Sequence, residues 1–246
     1  MLKKAQISLF VIIGILIIAA IIFASYYASI ITIESPKENS QIVAPVQQFT
    51  EECLKKIGTD AAYFVAKRGG YYNDTELMAP YDSSKTAYYF YSKKNVMPSK
   101  EAVQTELGRY VSDNIFICTK NYADLAKEGI IAEGGGIKTN AIIFSDKISY
   151  ETNYPLTLRK GDSTARLEKF YAEAGNIRLG EMLDSAKNLT EIQVQNPNSI
   201  MMSDIFKETT RTGFVINLFT LDNETIIFTI TDQKNNLTLA YANKYE

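Results

Sequence analysis

The sequence predicts an α+β fold class: an N-terminal transmembrane helix followed by an ectodomain with a helix pair and an antiparallel sheet. Three observations support this prediction. An uncharged run extends from Ala5 to Ile33, two later segments place apolar residues at spacings of three and four, and the C-terminal third alternates β-branched and aromatic runs with short polar turns. Helices and antiparallel strands that are segregated along one chain are typical of an α+β domain.

The uncharged run is long enough to cross a membrane. At about 1.5 Å of helix rise per residue it covers the ~30 Å hydrocarbon core, whereas the apolar part of a cleaved secretory signal has only about 7 to 15 residues. Lys3 and Lys4 precede the run, so the positive-inside rule places the N-terminus in the cytoplasm. We therefore expect a single-pass protein of the cell membrane with an extracytoplasmic C-terminal domain.

These features divide the chain into a transmembrane helix at residues 6–33, a linker at 34–45 and an α+β domain at 46–246. The alternative is a domain that is split into a helix-rich part, 46–130, and a sheet-rich part, 131–246. A segment of this length can bury a sizeable core as one domain or as two small ones.

The first predicted helix of the domain follows Pro45. Its apolar face comprises Val46, Phe49, Cys53, Ile57, Ala61 and Phe64. Gly69 and Gly70 end this helix just after Lys67 and Arg68, whose positive charges complement the C-terminal end of the helix dipole. The aromatic segments GGYYND and TAYYFYSKKN come next and predict short strands around a turn.

A second helix is predicted to begin near Pro98, which suits a first helical turn. Its apolar face comprises Val103, Leu107, Tyr110 or Val111, Cys118 and Leu125. Cys53 and Cys118 therefore lie on the buried faces of two predicted helices. They are either two packed thiols or one disulfide, and we favour the disulfide because the count is even and an exported domain meets oxidising conditions.

The remainder of the domain is predicted to consist mostly of strands. Three short ones, NAIIF, KISYE and YPLTLR, follow the glycine triplet at residues 134–136, and a further helix runs from Ile177 to about Glu191. The runs GFVINLFTL, TIIFTITD and LTLAYANKY are separated by short polar turns, which indicates an antiparallel meander.

The composition argues against most classes of enzyme. The chain has no histidine and two cysteines, so Ser-His-Asp and Cys-His nucleophilic systems and His-ligated metal sites are excluded. We expect no catalytic residues, no cofactor, no metal and no enzyme activity. A net charge of −2 without clustered Lys and Arg argues against a nucleic-acid partner. The carboxylate pairs Glu51/Glu52 and Asp222/Glu224 leave an outward-facing carboxylate-dependent hydrolase as an alternative.

Two further patterns concern the protein surface. Sequons of the type Asn-x-Ser/Thr begin at Asn73, Asn188, Asn223 and Asn236 and predict glycosylation there. The chain has 16 tyrosines, with the run YYFY at residues 88–91. These rings form either an aromatic recognition surface or the core side of a sheet. We favour the core, because successive residues of a strand face opposite sides and two of the four rings must point inward.

The N-terminus KKAQISLFVIIGIL resembles the class III signal of archaeal type IV pilin-like proteins. The resemblance implies a leader at residues 1–5, processing between Ala5 and Gln6, and assembly of the processed subunit. Ser8 matches the serine of that pattern, whereas Phe10 stands where the family commonly has Glu. More loosely, VQQFTEECLKKIG, KRGGYY, YYFYSKKNVMPS and RYVSDNIFICTKNY look like segments of uncharacterised single-span surface proteins of small-genome archaea.

Together these observations predict a membrane-anchored cell-surface protein with a structural, adhesive or protein-interaction role. The expected partners are the lipid bilayer, other copies of the chain and other surface proteins. A pilin-like subunit, processed before Gln6 and assembled into a filament or surface complex, is the second hypothesis, and the hydrolase is the third.

Overall fold

The structure is a computed structural model that describes residues 37–245. Residues 41–246 form one compact unit, and helix α1, described below, begins four residues before it. The described chain is α+β, with one antiparallel and one mixed sheet.

The elements follow one another in an order that places one helix before the strands and the other helices between them. The helices are α1 (Lys37–Lys67), α2 (Lys100–Thr119), α3 (Ala123–Lys127), α4 (Leu179–Gln195) and α5 (Met202–Thr212), with a 3-10 turn at Lys120–Tyr122. The strands are β1 (Met78–Tyr81), β2 (Ser84–Tyr91), β3 (Lys94–Asn95), β4 (Ile131–Gly134), β5 (Lys138–Ile143), β6 (Lys147–Lys160), β7 (Ser163–Gly175), β8 (Val215–Thr220), β9 (Thr225–Asp232) and β10 (Leu237–Lys244).

Helix α1 is longer than the sequence predicted. It begins at Lys37, inside the segment expected to be a linker, and Pro45 lies within it. The apolar face continues on both sides of the proline, because Ile42 and Val46 are both buried. Burial of that face offsets the backbone hydrogen bond that a proline removes from a helix. The helix ends as predicted, with Gly69 and Gly70 at φ of 67° and 93°.

The larger sheet has the order β1-β2-β10-β9-β8, with β3 beside β2. Strands β8, β9 and β10 form the predicted antiparallel meander. Strand β10 also runs parallel to β2, so the C-terminus of the chain joins the strand that carries the YYFY run. Within that run Tyr89 and Phe90 are fully buried, whereas the two outer tyrosines are half-buried.

The smaller sheet is built on the long strand β6. Strand β7 pairs with it on one side, and β5 followed by β4 pairs on the other. The predicted strands KISYE and YPLTLR are therefore parts of one strand. Strand β7 is not evident from the sequence, because its buried and exposed residues do not alternate regularly along its whole length. The β6–β7 register shifts between Asn153 and Leu156 of β6, and this irregularity interrupts the alternation in β7.

One hydrophobic core connects the helices to both sheets. A contiguous cluster of buried side chains includes Leu54 of α1, Val111 of α2, Tyr150 of the smaller sheet, and Tyr241 and Phe228 of the larger sheet. The helix-rich and sheet-rich parts that the sequence offered as an alternative thus share their core within the described chain.

The structure corrects the predicted fold class and localisation. Within residues 37–245, no helix combines the length and the apolar character needed to cross a membrane. That finding counts against the expected transmembrane helix, the single-pass topology and the membrane localisation, and we withdraw all three. These expectations relied on the apolar composition of residues 6–33, which lie outside the described residues.

Candidate functional site

Three aromatic side chains from different segments meet at the surface of the domain. Phe64 lies near the end of α1, Tyr72 in the loop that follows it and Tyr110 on α2. Their ring centroids are 5.9 Å apart for Phe64 and Tyr72, 5.2 Å for Phe64 and Tyr110, and 5.1 Å for Tyr72 and Tyr110. Phe64 is 40% exposed, and both tyrosines are half-buried. We call these three residues the aromatic cluster.

A buried carboxylate holds the loop that carries Tyr72. Glu106 is 8% exposed and lies one helical turn before Tyr110. Its Oε2 accepts the backbone N–H of Tyr72 at 3.0 Å and that of Asn73 at 3.4 Å, and its Oε1 accepts from the Arg109 guanidinium at 2.5 Å. Such charge-assisted bonds are stronger than neutral ones. They also explain why GGYYND is a loop and not the predicted strand, since these N–H groups are bonded to a helix side chain.

Arg68 contacts the other side of the cluster. Its guanidinium carbon lies 5.4 Å from the Phe64 ring centroid, a cation–π distance. The same guanidinium donates to Ser84 Oγ at 2.6 Å and forms an ion pair with Asp74, which also binds Lys85 at 2.7 Å. The hydrogen bonds from Lys85 and then from Arg68 hold the pKa of the Asp74 carboxyl below its usual value.

The hydroxyls of Tyr110 and Tyr71 have a pKa above the usual value. Burial raises the pKa of Tyr110, and the negative charge of Asp60 adds to the rise. Burial and then the charge of Glu106 raise the pKa of Tyr71. The Asn114 amide donates to Tyr72 Oη at 3.3 Å. The cluster therefore offers aromatic rings and hydroxyl groups among fixed charges.

A disulfide joins the two helices that carry the cluster. Cys53 on α1 and Cys118 on α2 are bonded, with 5.5 Å between their Cα atoms. This is the pair that the sequence analysis favoured as a disulfide. Because Phe64 follows Cys53 on α1 and Tyr110 precedes Cys118 on α2, the bond restrains the separation of two of the three rings.

A cleft of about 450 Å³ lies on another side of α2, against the edge of β5. It is lined by Glu101, Gln104, Thr105, Gly108, Arg109, Ser112 and residues 137–141. Ser112 Oγ accepts the backbone N–H of Thr139, and Gln104 Oε1 accepts that of Ile143, both at 2.9 Å. The cleft therefore lies along the boundary where α2 covers the edge of β5.

The carboxylate pairs singled out in the sequence form local hydrogen bonds in the described part of the chain. No group of three or more metal-ligating side chains occurs among the described residues. Glu51 and Glu52 accept hydrogen bonds from glutamine amides one turn earlier on α1. Asp222 accepts the backbone N–H groups of Glu224 and Thr225, so this carboxylate shapes the turn between β8 and β9.

The remaining predicted sites are distributed over the molecule. All four sequon asparagines are exposed: Asn73 beside the aromatic cluster, Asn188 on α4, and Asn223 and Asn236 in turns. Their glycosylation stays a prediction. Ala5 and Gln6, where the resemblance implies processing, lie outside the described residues.

The aromatic cluster is not evident from the sequence pattern. The pattern placed Phe64 on the buried face of the first helix and either Tyr110 or Val111 on that of the second. Val111 is fully buried, whereas Phe64 and Tyr110 lie at the rim. One signal was present in the sequence: Glu106 lies between Val103 and Leu107 on the apolar face of α2, where a carboxylate requires buried partners.

Comparison of the chain with protein-family models, curated proteins and solved structures gives no match.

Proposed function

We propose that this protein is a protein-interaction domain that binds a partner protein through the aromatic cluster of Phe64, Tyr72 and Tyr110. The observation that carries the proposal is that three rings from separate segments meet at the surface while the backbone and charges around them are fixed. This proposal keeps the protein-interaction role expected from the sequence and does not depend on a membrane anchor.

The chemistry of the cluster supports a protein partner. Tyrosine, phenylalanine and arginine are enriched in the cores of protein interfaces, where a few such residues supply most of the binding energy. Each ring provides a large contact area with few rotatable bonds, and Tyr72 and Tyr110 add hydroxyl groups. Asp113 and Arg109 are exposed on the same helix as Tyr110 and supply charges of both signs for a polar rim.

Pre-organisation supports the same proposal. Glu106 holds the loop of Tyr72, Arg68 holds Phe64, and the disulfide joins α1 to α2. A surface that is already ordered loses less conformational entropy when it binds.

The proposal is tested by cross-linking in the cells that make the protein. A photoreactive phenylalanine analogue at position 64 should form a covalent adduct with one partner protein. The matched control carries the analogue at Phe116, which is 58% exposed on α2 but does not belong to the aromatic cluster. The adduct should be specific to position 64.

Binding of the identified partner is then measured with purified proteins. We expect Phe64→Ala and Tyr72→Ala each to raise the dissociation constant about tenfold or more. This corresponds to a loss of at least about 1.4 kcal/mol of binding free energy. Phe116→Ala should leave it unchanged. Equal cross-linking from both positions, or equal affinity of all three variants, would contradict the proposal.

A further inference from the structure

The edges of the two sheets differ in how they are protected from pairing with another chain. At one edge of the larger sheet, β1 contains Pro80 and β3 contains Lys94. In the smaller sheet, β7 carries several exposed charges, and the edge of β5 is covered by hydrogen bonds from α2. Prolines, charges and covering helices are the usual means by which proteins block edge-to-edge association.

Strand β8, at the other edge of the larger sheet, has none of these features. Its sequence is VINLFT, without charge or proline. Asn217 and Phe219 are exposed, Phe219 by 52%, and Leu221 just beyond the strand is 42% exposed. Ile216 and Leu218 are half-buried against the core.

The register shows which backbone groups face the open edge. The N–H of Leu221 donates to the carbonyl of Thr225 at 2.9 Å, and Thr220 is paired with Ile226. Because hydrogen-bonded and non-hydrogen-bonded pairs alternate along an antiparallel ladder, the backbone groups of Ile216, Leu218 and Thr220 point away from β9. Among residues 37–245, no hydrogen bond to these outward groups is present.

We propose that β8 is a self-association edge, which pairs in antiparallel fashion with β8 of a second copy of this chain. A two-fold axis at Leu218 places Ile216 opposite Thr220 of the second copy, so that each outward N–H meets an outward carbonyl. No charged residue of one strand opposes a like charge of the other, since the strand has none. The interaction is separate from the aromatic cluster and does not rest on the proposed function.

The flanking charges favour a second copy in this orientation. Exposed Arg211, which also pairs with Glu208, precedes β8. Exposed Asp222 follows the strand, as does Glu224, which pairs with Lys244. In the two-fold arrangement the start of one strand lies beside the end of the other, so Arg211 of each copy approaches the side of its partner that carries the exposed carboxylate of Asp222. An isologous pairing of this kind also closes on itself, whereas pairing with a different edge would build a ring or an open filament.

The test uses the purified full chain in a mild non-ionic detergent, because residues 5–33 carry no charge. Sedimentation over a range of protein concentrations should show a monomer–dimer equilibrium. Asn217→Lys adds an exposed charge to β8, and in the dimer the two new lysines lie diagonally across the axis. We expect the dissociation constant of the dimer to rise about tenfold or more. Asn140→Lys, at an exposed asparagine of β5, is the matched control and should leave the dimer intact.

Cross-linking tests the register independently of affinity. Hydrogen-bonded partners in an antiparallel pair have Cα atoms about 5.5 Å apart, which suits a disulfide. Leu218→Cys should therefore give an oxidised dimer, whereas Thr164→Cys, at an exposed position on the charged strand β7, should not. A wild-type chain that stays monomeric, a dimer that Asn217→Lys does not weaken, or equal cross-linking of the two cysteine variants would overturn the proposal.

Discussion

Glu106 and Gly108 of α2 show how the contacts at a position restrict which residue can occupy it. Glu106 accepts hydrogen bonds from two backbone N–H groups of the loop after α1. These N–H groups are therefore bonded to a carboxylate and not to a neighbouring strand. Gly108 lies directly against β5, where a Cβ atom would come within 2.3 Å of the carbonyl oxygen of Thr139. The absence of a side chain at this position lets Gln104 and Ser112 reach the strand edge on either side.

Gly108→Ala should therefore destabilise the protein. The added methyl group meets backbone, which cannot move aside as a flexible side chain would, and overpacking of this kind costs about 1–3 kcal/mol. The measurement is the free energy of unfolding from urea denaturation. Gly136→Ala is the control, since a Cβ there would have no heavy atom within 4 Å. Equal stability of the two variants would show that α2 does not approach β5 as closely as described.

At the scale of elements, α1 and α2 form the frame to which the other parts attach. The disulfide Cys53–Cys118 joins them, and α2 in turn covers the edge of β5. The aromatic cluster spans the same two helices. The helix pair thus connects the candidate recognition surface to the smaller sheet.

Replacement of both cysteines by serine should lower the free energy of unfolding by about 4 kcal/mol, because the bond closes a loop with a sequence separation of 65. Urea denaturation of the oxidised wild type and the double variant measures the difference. Wild-type protein treated with a reductant should match the double variant. A midpoint that neither treatment changes would mean that the bond does not constrain the unfolded chain.

At the scale of the whole molecule, ionisable groups limit stability on both sides of neutral pH. Surface carboxyls such as Asp204 and Asp222 have a pKa below the usual value, through a hydrogen bond from Lys207 in the first case and from the backbone N–H of Glu224 in the second. In the core, burial raises the pKa of the Tyr89, Tyr150 and Tyr241 hydroxyls.

The sign of each shift predicts the pH profile. Carboxyls with a lowered pKa stabilise the fold when the pH is above 3.8, their pKa in the unfolded chain. This stabilisation is lost as the pH falls through their pKa in the folded protein. Tyrosines with a raised pKa stabilise the fold when the pH is below 10.0, their pKa in the unfolded chain. This stabilisation is lost as the pH rises above that value. We expect the free energy of unfolding to be highest between these limits and Asp222→Asn to reduce the loss in acid. A profile that is flat from about pH 3 to pH 11 would contradict this expectation.

The sequence by itself determined the features that depend on neighbouring residues. The end of α1 at Gly69 and Gly70, the start of α2 near Pro98 and the β8–β10 meander were predictable, because backbone preferences and the period of apolar residues are local properties. The membrane expectation went beyond this local information, because it assigned a location from the composition of one apolar run.

Only the tertiary structure decided which elements meet. The parallel pairing of β10 with β2, the cover that α2 provides for β5 and the meeting of Phe64, Tyr72 and Tyr110 all join residues that are remote in the sequence. An apolar period shows that a helix or strand has a buried face, but it does not show what that face packs against or where its rim lies. For that reason the candidate recognition surface emerged only from the packed domain.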